Sequence, residues 1–153
     1  MGGNNFIVDT RERAEQYFRN SELYCSESII HTINESLGFP YDKSITKLAS
    51  GFPIGVGRSG CLCGAVSGGI MALGLLYGRR HGEKVKDDVL KLSADLHNYI
   101  KELYGSTCCR VLTKNMEFNS PERKRHCIKI TGDFTEWVAG KMLEHGLNQK
   151  TTL

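Results

Sequence analysis

The sequence predicts an all-α fold, a compact bundle of about six helices with a glycine-rich helix at its centre. Three observations predict it. Apolar residues recur at helical spacing in several segments, most clearly Val85, Val89, Leu92, Leu96, Ile100 and Leu103. No run alternates polar and apolar residues as a half-buried strand would. Helix start and stop residues fall at the ends of these stripes. The 153 residues suit one domain spanning 1–153, with a core at about 10–146 and frayed termini.

The elements follow in order. Asp9 or Thr10 is placed to cap a first helix, with Glu12 as capping-box partner and Ala14, Tyr17 and Phe18 on its apolar side. A second helix runs from about Cys25 to Leu37, because Cys25, Ile29, Ile30, Ile33 and Leu37 share a face and Gly38 and Pro40 stop it. A short third helix covers about Asp42 to Ala49, with Ile45 and Leu48 expected inward.

The texture then changes. Gly51 to Gly60 reads GFPIGVGRSG, a loop with special backbone needs. An uncharged helix follows from about Cys63 to Tyr77. Gly64 and Gly68 lie four apart, so another backbone can approach closely, and the helix belongs mid-bundle. The stripe from Glu83 to Tyr104 is the next helix, ended by Gly105. Ser106 can cap a short helix holding Cys108, Cys109, Val111 and Leu112. Ser120-Pro121 is a cap-plus-first-turn start for a helix that carries Cys127 and continues, with a break near Gly132, through Phe134, Trp137, Val138 and Met142 to Gly146. Asn148 to Leu153 reads as a frayed tail.

Composition excludes several classes. The net charge of +3 is weak, and the densest basic stretch, Arg123-Lys124-Arg125-His126, reads as a solvated helix face, so no nucleic-acid partner is expected. The N-terminus has neither the basic region nor the apolar core of a signal peptide, and Phe6 stands where a myristoylation motif wants Ser or Thr. The expected compartment is the cytoplasm. Ser59 to Gly78 carries no charge and has the length of a membrane span, but its glycines and cysteines make it a buried central helix instead; no span is expected. Gly55-Val56-Gly57-Arg58-Ser59-Gly60 spells G-x-G-x-x-G, yet no strand precedes it and no suitable acid follows, so dinucleotide binding lacks its context. Ser67 has no visible His–Asp partners for hydrolysis.

The six cysteines carry the chemistry: Cys25, Cys61, Cys63, Cys108, Cys109 and Cys127. In a reducing compartment such a set points to metal binding or redox catalysis rather than to structural disulfides. Cys25, Cys63 and Cys109 each fall at a predicted helix N-terminus, where free N–H groups and the dipole favour a thiolate. Cys108 and Cys109 point about 100° apart on a helix, so both cannot easily face one site. Cys61 and Cys108 are extra thiols, read as spares or, functionally, as a resolving thiol or a substitute ligand. His126 beside Cys127 is a weaker candidate ligand or proton donor.

With these residues in view, the chain resembles the redox-active proteins named for the cysteine signature C-GCAxxG-C-C. The family's central motif is C-G-A-x-x-G, and it stands here as Cys63-Gly64-Ala65-Val66-Ser67-Gly68, after a glycine loop and before the apolar run Ile70 to Gly74. Cys25 matches the first cysteine, Cys109 in Gly105-Ser106-Thr107-Cys108-Cys109-Arg110 the third, and Cys127 the last. The resemblance covers about Ala14 to Leu143 and implies a single helical domain with redox function. A related domain, in a split-Soret type cytochrome, holds an iron–sulfur cluster on cysteines; no Cys-x-x-Cys-His is present here for covalent haem.

Three readings follow. In the first, Cys25, Cys63, Cys109 and Cys127 ligate an iron–sulfur cluster, [2Fe–2S] being the expected form, for electron transfer, with the loop glycines Gly57, Gly60 and Gly64 close to the cofactor. In the second, the chain is a metal-free thiol–disulfide oxidoreductase or sensor, with Cys63 attacking and Cys25 as its partner. The third is a structural zinc site, although paired Cys-x-x-Cys spacing is absent. The redox partner is unspecified, and the apolar, glycine-bearing central helix suggests a homodimer.

Overall fold

The computed structural model describes residues 2–146; the tail from Asn148 lies outside the described residues. The chain is all-α, with no strand among the described residues. Five long helices make the bundle: α1 (Gly2–Arg19), α2 (Cys25–Ser36), α4 (Gly64–Tyr77), α5 (Asp87–Tyr104) and α7 (Pro121–Glu144). A 3-10 helix (Lys43–Ala49) and the single turns α3 (Pro53–Val56) and α6 (Cys109–Leu112) connect them. None of the described helices is long and apolar enough to cross a membrane.

The glycine-rich helix α4 is central, as its composition predicts, packing against α2, α5 and α7. The small-residue spacing explains how. A Cβ on Gly68 would lie 2.7 Å from both Cα and O of Ser26, so only glycine lets α4 cross α2 there. A Cβ on Gly69 would meet Leu96 and Phe134. Ile29, Ile33, Val66, Leu73, Leu96, Ile100, Phe134, Val138 and Met142 fill the core between these helices.

Several elements differ from expectation. Helix α1 begins at Gly2, not at Asp9 or Thr10. Thr10 caps nothing; it is buried against α2, and its hydroxyl donates to Phe6 O at 2.7 Å. The segment after Asp42 is a 3-10 helix, in which residues three apart eclipse. Ile45 is half-buried, Leu48 is exposed, and Ala49 is the buried residue. Helix α5 starts at Asp87 because Arg80 to Glu83 is closed into a turn by paired bonds, Glu83 N to Arg80 O at 3.1 Å and Arg80 N to the Glu83 carboxylate at 2.9 Å. Val85 and Leu103 are consequently exposed, and the buried stripe reduces to Leu92, Leu96 and Ile100.

Helix α7 runs unbroken through Gly132. That glycine is a contact, not a break: a Cβ there would overlap the Glu15 carboxylate of α1. Along this α1–α7 seam, Arg11 pairs with Glu15 at 2.9 Å, with Asp133 at 2.8 Å and with Glu136. The Ser120 cap is realised, its hydroxyl accepting from Arg123 N at 3.1 Å. Gly105 ends α5 in the left-handed conformation (φ 78°).

Candidate functional site

Four elements bring one cysteine each to one end of the bundle. Cys25 is the first residue of α2, Cys63 immediately precedes α4, Cys109 opens α6, and Cys127 lies in the second turn of α7. Each is tethered through its backbone or its neighbour. Ser26 donates its hydroxyl to Ala49 O at 2.8 Å, which fixes the start of α2 against the 3-10 helix. Cys63 N donates to Thr107 O at 2.8 Å, joining the approach to α4 to the approach to α6. The Thr113 and Thr131 hydroxyls donate to the carbonyls of Cys109 (2.8 Å) and Cys127 (2.9 Å).

These four cysteines are free, and all four line one cavity of about 690 Å³. Gly64 and Ala65 form part of its floor; Arg58, Phe118, Arg123 and Lys124 also border it. Gly64 has a specific task. A Cβ at this position would overlap the Cys25 sulfur and lie 3.2 Å from Phe52 O, so the glycine after Cys63 makes the room that Cys25 occupies. Of the other two loop glycines, Gly60 borders a shallower neighbouring cleft and Gly57 borders neither cavity. The loop does need unusual backbone: Gly57 and Gly60 have positive φ, and so do the non-glycine residues Ile54, Val56 and Arg58.

The thiol electrostatics reverse the expectation from helix N-termini. Burial pushes the Cys63 thiol up to about 11, against the backbone N–H groups of Ala65 and Val66, which favour the thiolate. Burial likewise pushes Cys127 up to about 12 and Cys25 well above the ordinary thiol value, and mutual repulsion among the four sulfurs adds to both. Loss of water outweighs the helix ends. At neutral pH these three thiols are protonated and weakly nucleophilic until something else supplies positive charge.

Two basic residues that the sequence offered only as surface charge stand at this cavity. Arg123 Nη2 lies 3.9 Å from Cys109 Sγ, and the Arg123 and Arg58 guanidinium groups approach the half-exposed ring of Phe118 at 5.0 and 5.7 Å. The signal for Arg123 was its spacing: four residues before Cys127, on the same face of α7. His126, by contrast, packs its ring edge-on against Tyr104 at 5.9 Å and does not line the cavity.

Cys61 and Cys108 are not spares. They form a disulfide with each other, and neither lines the four-cysteine cavity. Cys108 and Cys109 thus divide between two sites, as their divergence on the chain requires. Among the described residues, no three His, Cys, Asp or Glu side chains converge closely enough to hold a single metal ion.

The comparisons with known proteins agree with the cysteine pattern. A family described as "Putative redox-active protein (C_GCAxxG_C_C)" matches residues 23–141. A protein of Archaeoglobus fulgidus, described as an uncharacterized protein, is 28% identical over 125 residues, covering 76% of this chain and 83% of its own length. No solved structure matches the chain.

Proposed function

We propose, from the premise that the chain belongs to the C_GCAxxG_C_C redox-active family, that Cys25, Cys63, Cys109 and Cys127 bind an iron–sulfur cluster and that the protein transfers electrons to a partner protein in the cytoplasm. The observation that carries this is the sorting of the six cysteines. Four free thiols from four elements border one cavity, while the remaining two satisfy each other outside it.

The donor set fits such a group. Four thiolates are the usual ligands of [2Fe–2S] and [4Fe–4S] clusters, and in a [2Fe–2S] cluster each iron takes two of them. A cluster therefore does not ask three side chains to converge on one ion, as zinc would. When bound, it would supply one-electron redox chemistry. The chain's own residues would do the rest. Arg123 and Arg58 offset negative charge at the cavity, and the N–H groups of Ala65 and Val66 point at the Cys63 sulfur. The raised thiol pKa values of Cys25, Cys63 and Cys127 count against metal-free exchange led by these three cysteines, because a protonated buried thiol is a poor attacker; a bound metal would have to displace the same protons.

Anaerobic purification, with reconstitution from iron and sulfide, tests it. The expected product is brown, with stoichiometric iron and acid-labile sulfide and thiolate-to-iron absorption in the visible. Cys25→Ser, Cys63→Ser, Cys109→Ser and Cys127→Ser should each lower bound iron severalfold, while Cys61→Ser and Cys108→Ser retain it. Iron at background in the reconstituted native chain refutes the proposal, and stoichiometric zinc would replace it.

A further inference from the structure

The Cys61–Cys108 bond lies outside the four-cysteine pattern, and its surroundings differ from those of a sealed structural disulfide. Both residues are only partly buried, unlike Cys63 and Cys109 of the four-cysteine set. The two strands of chain that carry them are held in register by backbone hydrogen bonds on either side of the bond: Arg110 N to Gly60 O at 2.9 Å, and Cys63 N to Thr107 O at 2.8 Å. Both contacts are backbone to backbone, so an open pair held by them would stay opposed and could close again. Gly55 adds a third constraint, because its missing side chain lets the α3 turn pack directly against the backbone N of Cys61. The Arg110 stem runs along Gly60, the residue before Cys61.

We infer that Cys61 and Cys108 are a reversible dithiol–disulfide site that exchanges with an external thiol, separate from the four-cysteine cavity. An external thiolate attacks one sulfur of the pair, breaking the S–S bond. A mixed disulfide forms, and the other protein sulfur leaves as a thiolate. A second external thiol attacks the mixed disulfide, freeing the first protein sulfur. In total, one protein disulfide and two external thiols become two protein thiols and one external disulfide; two electrons enter the protein, and the proton count balances. The site is also placed to report its state inward. Cys61 is two residues from Cys63, Cys108 adjoins Cys109, and the two hydrogen bonds above are shared between the segments. The inference stands whether or not iron occupies the cavity.

The native full chain should be equilibrated with graded ratios of reduced to oxidised glutathione, and separately with reduced thioredoxin, then quenched, alkylated and mapped by mass spectrometry. Four alkylated cysteines are expected in the oxidised state and six in the reduced state, with Cys61 and Cys108 appearing together. Cys61→Ser should leave Cys108 carrying one glutathione after oxidation, a state that the native pair resolves. A bond that resists both reductants in the folded chain and opens only on denaturation makes it structural and overturns the inference. So does a pair that stays reduced in oxidised glutathione. Iron at background with a cycling pair defeats the cluster and leaves this site standing; bound iron with an inert pair does the reverse.

Discussion

The α1–α7 seam and the cysteine cavity are both polar interruptions of an apolar bundle, resolved in opposite ways. At the seam, Arg11 meets Glu15, Asp133 and Glu136, and Asp133 also accepts from Lys129 at 2.8 Å and from Tyr104. Burial alone would raise the Asp133 pKa, but these donors and the Arg11 charge outweigh it and hold the carboxyl below its usual value. At the cavity, the one side-chain donor to the four sulfurs among the described residues is the long Arg123 contact to Cys109, and burial drives three of the thiols toward the neutral form. A polar cluster completed by its own partners stabilises the fold. One left incomplete around open volume is where a ligand belongs.

The largest expected separation between the two regions comes from Gly64→Ala. The added methyl competes with the Cys25 sulfur and with the backbone of Phe52 and Pro53. The sulfur can rotate away, so the fold should lose only about 1–3 kcal/mol, the usual cost of overpacking. Bound iron should fall to the level of Cys25→Ser, with helical circular dichroism unchanged. Iron retained in full would mean that the cavity does not depend on the place Gly64 makes for Cys25.

Asp133→Ala inverts that pattern. Removing one partner of a buried pair costs about 3–5 kcal/mol, but Arg11 keeps Glu15 and Glu136, so about 2 kcal/mol is expected in urea unfolding. Iron content should not change. The sign with pH follows from the depressed Asp133 pKa. Its stabilisation is complete at neutral pH and is lost as pH falls from the ordinary carboxylate value through the lower folded one. The native chain and the variant should therefore converge in acid, and a constant gap down to pH 2 would count against the pairing.

The same contrast marks what the sequence made legible. Features set by local chemistry were readable: the cysteine-led start of α2, the glycine spacing on α4, the Gly105 stop and the Ser120-Pro121 start. Features set by contacts between distant segments were not. Thr10 looks like a cap until α2 buries it, and Gly132 looks like a break until Glu15 packs on it. The site divides in the same way. Helix-end positions and the family resemblance picked out the four cysteines that share the cavity. The sign of their pKa shifts depends on enclosure by four separate elements, which no local window contains. The Cys61–Cys108 pairing spans 47 residues and depends on the register set by Arg110–Gly60 and Cys63–Thr107, so neither cysteine announces the other.

A rate profile sharpens the comparison most directly. In the metal-free chain, Cys63 and Cys127 titrate near 11 and 12, with burial as the leading cause. Only the thiolate is alkylated, so the rate at each should rise about tenfold per pH unit from pH 7 to pH 10 without levelling, where an ordinary thiol levels above about 8.5. Metal loading must expel the same protons, so retention of iron against a chelator should strengthen with rising pH and fail first in mild acid. Mass-spectrometric alkylation kinetics of folded apoprotein measure the first part, and iron retention measures the second. A plateau near pH 7 at Cys63 would mean that the start of α4 outweighs burial after all. The cavity would then hold a ready thiolate, and the balance would move from cluster binding toward thiol exchange.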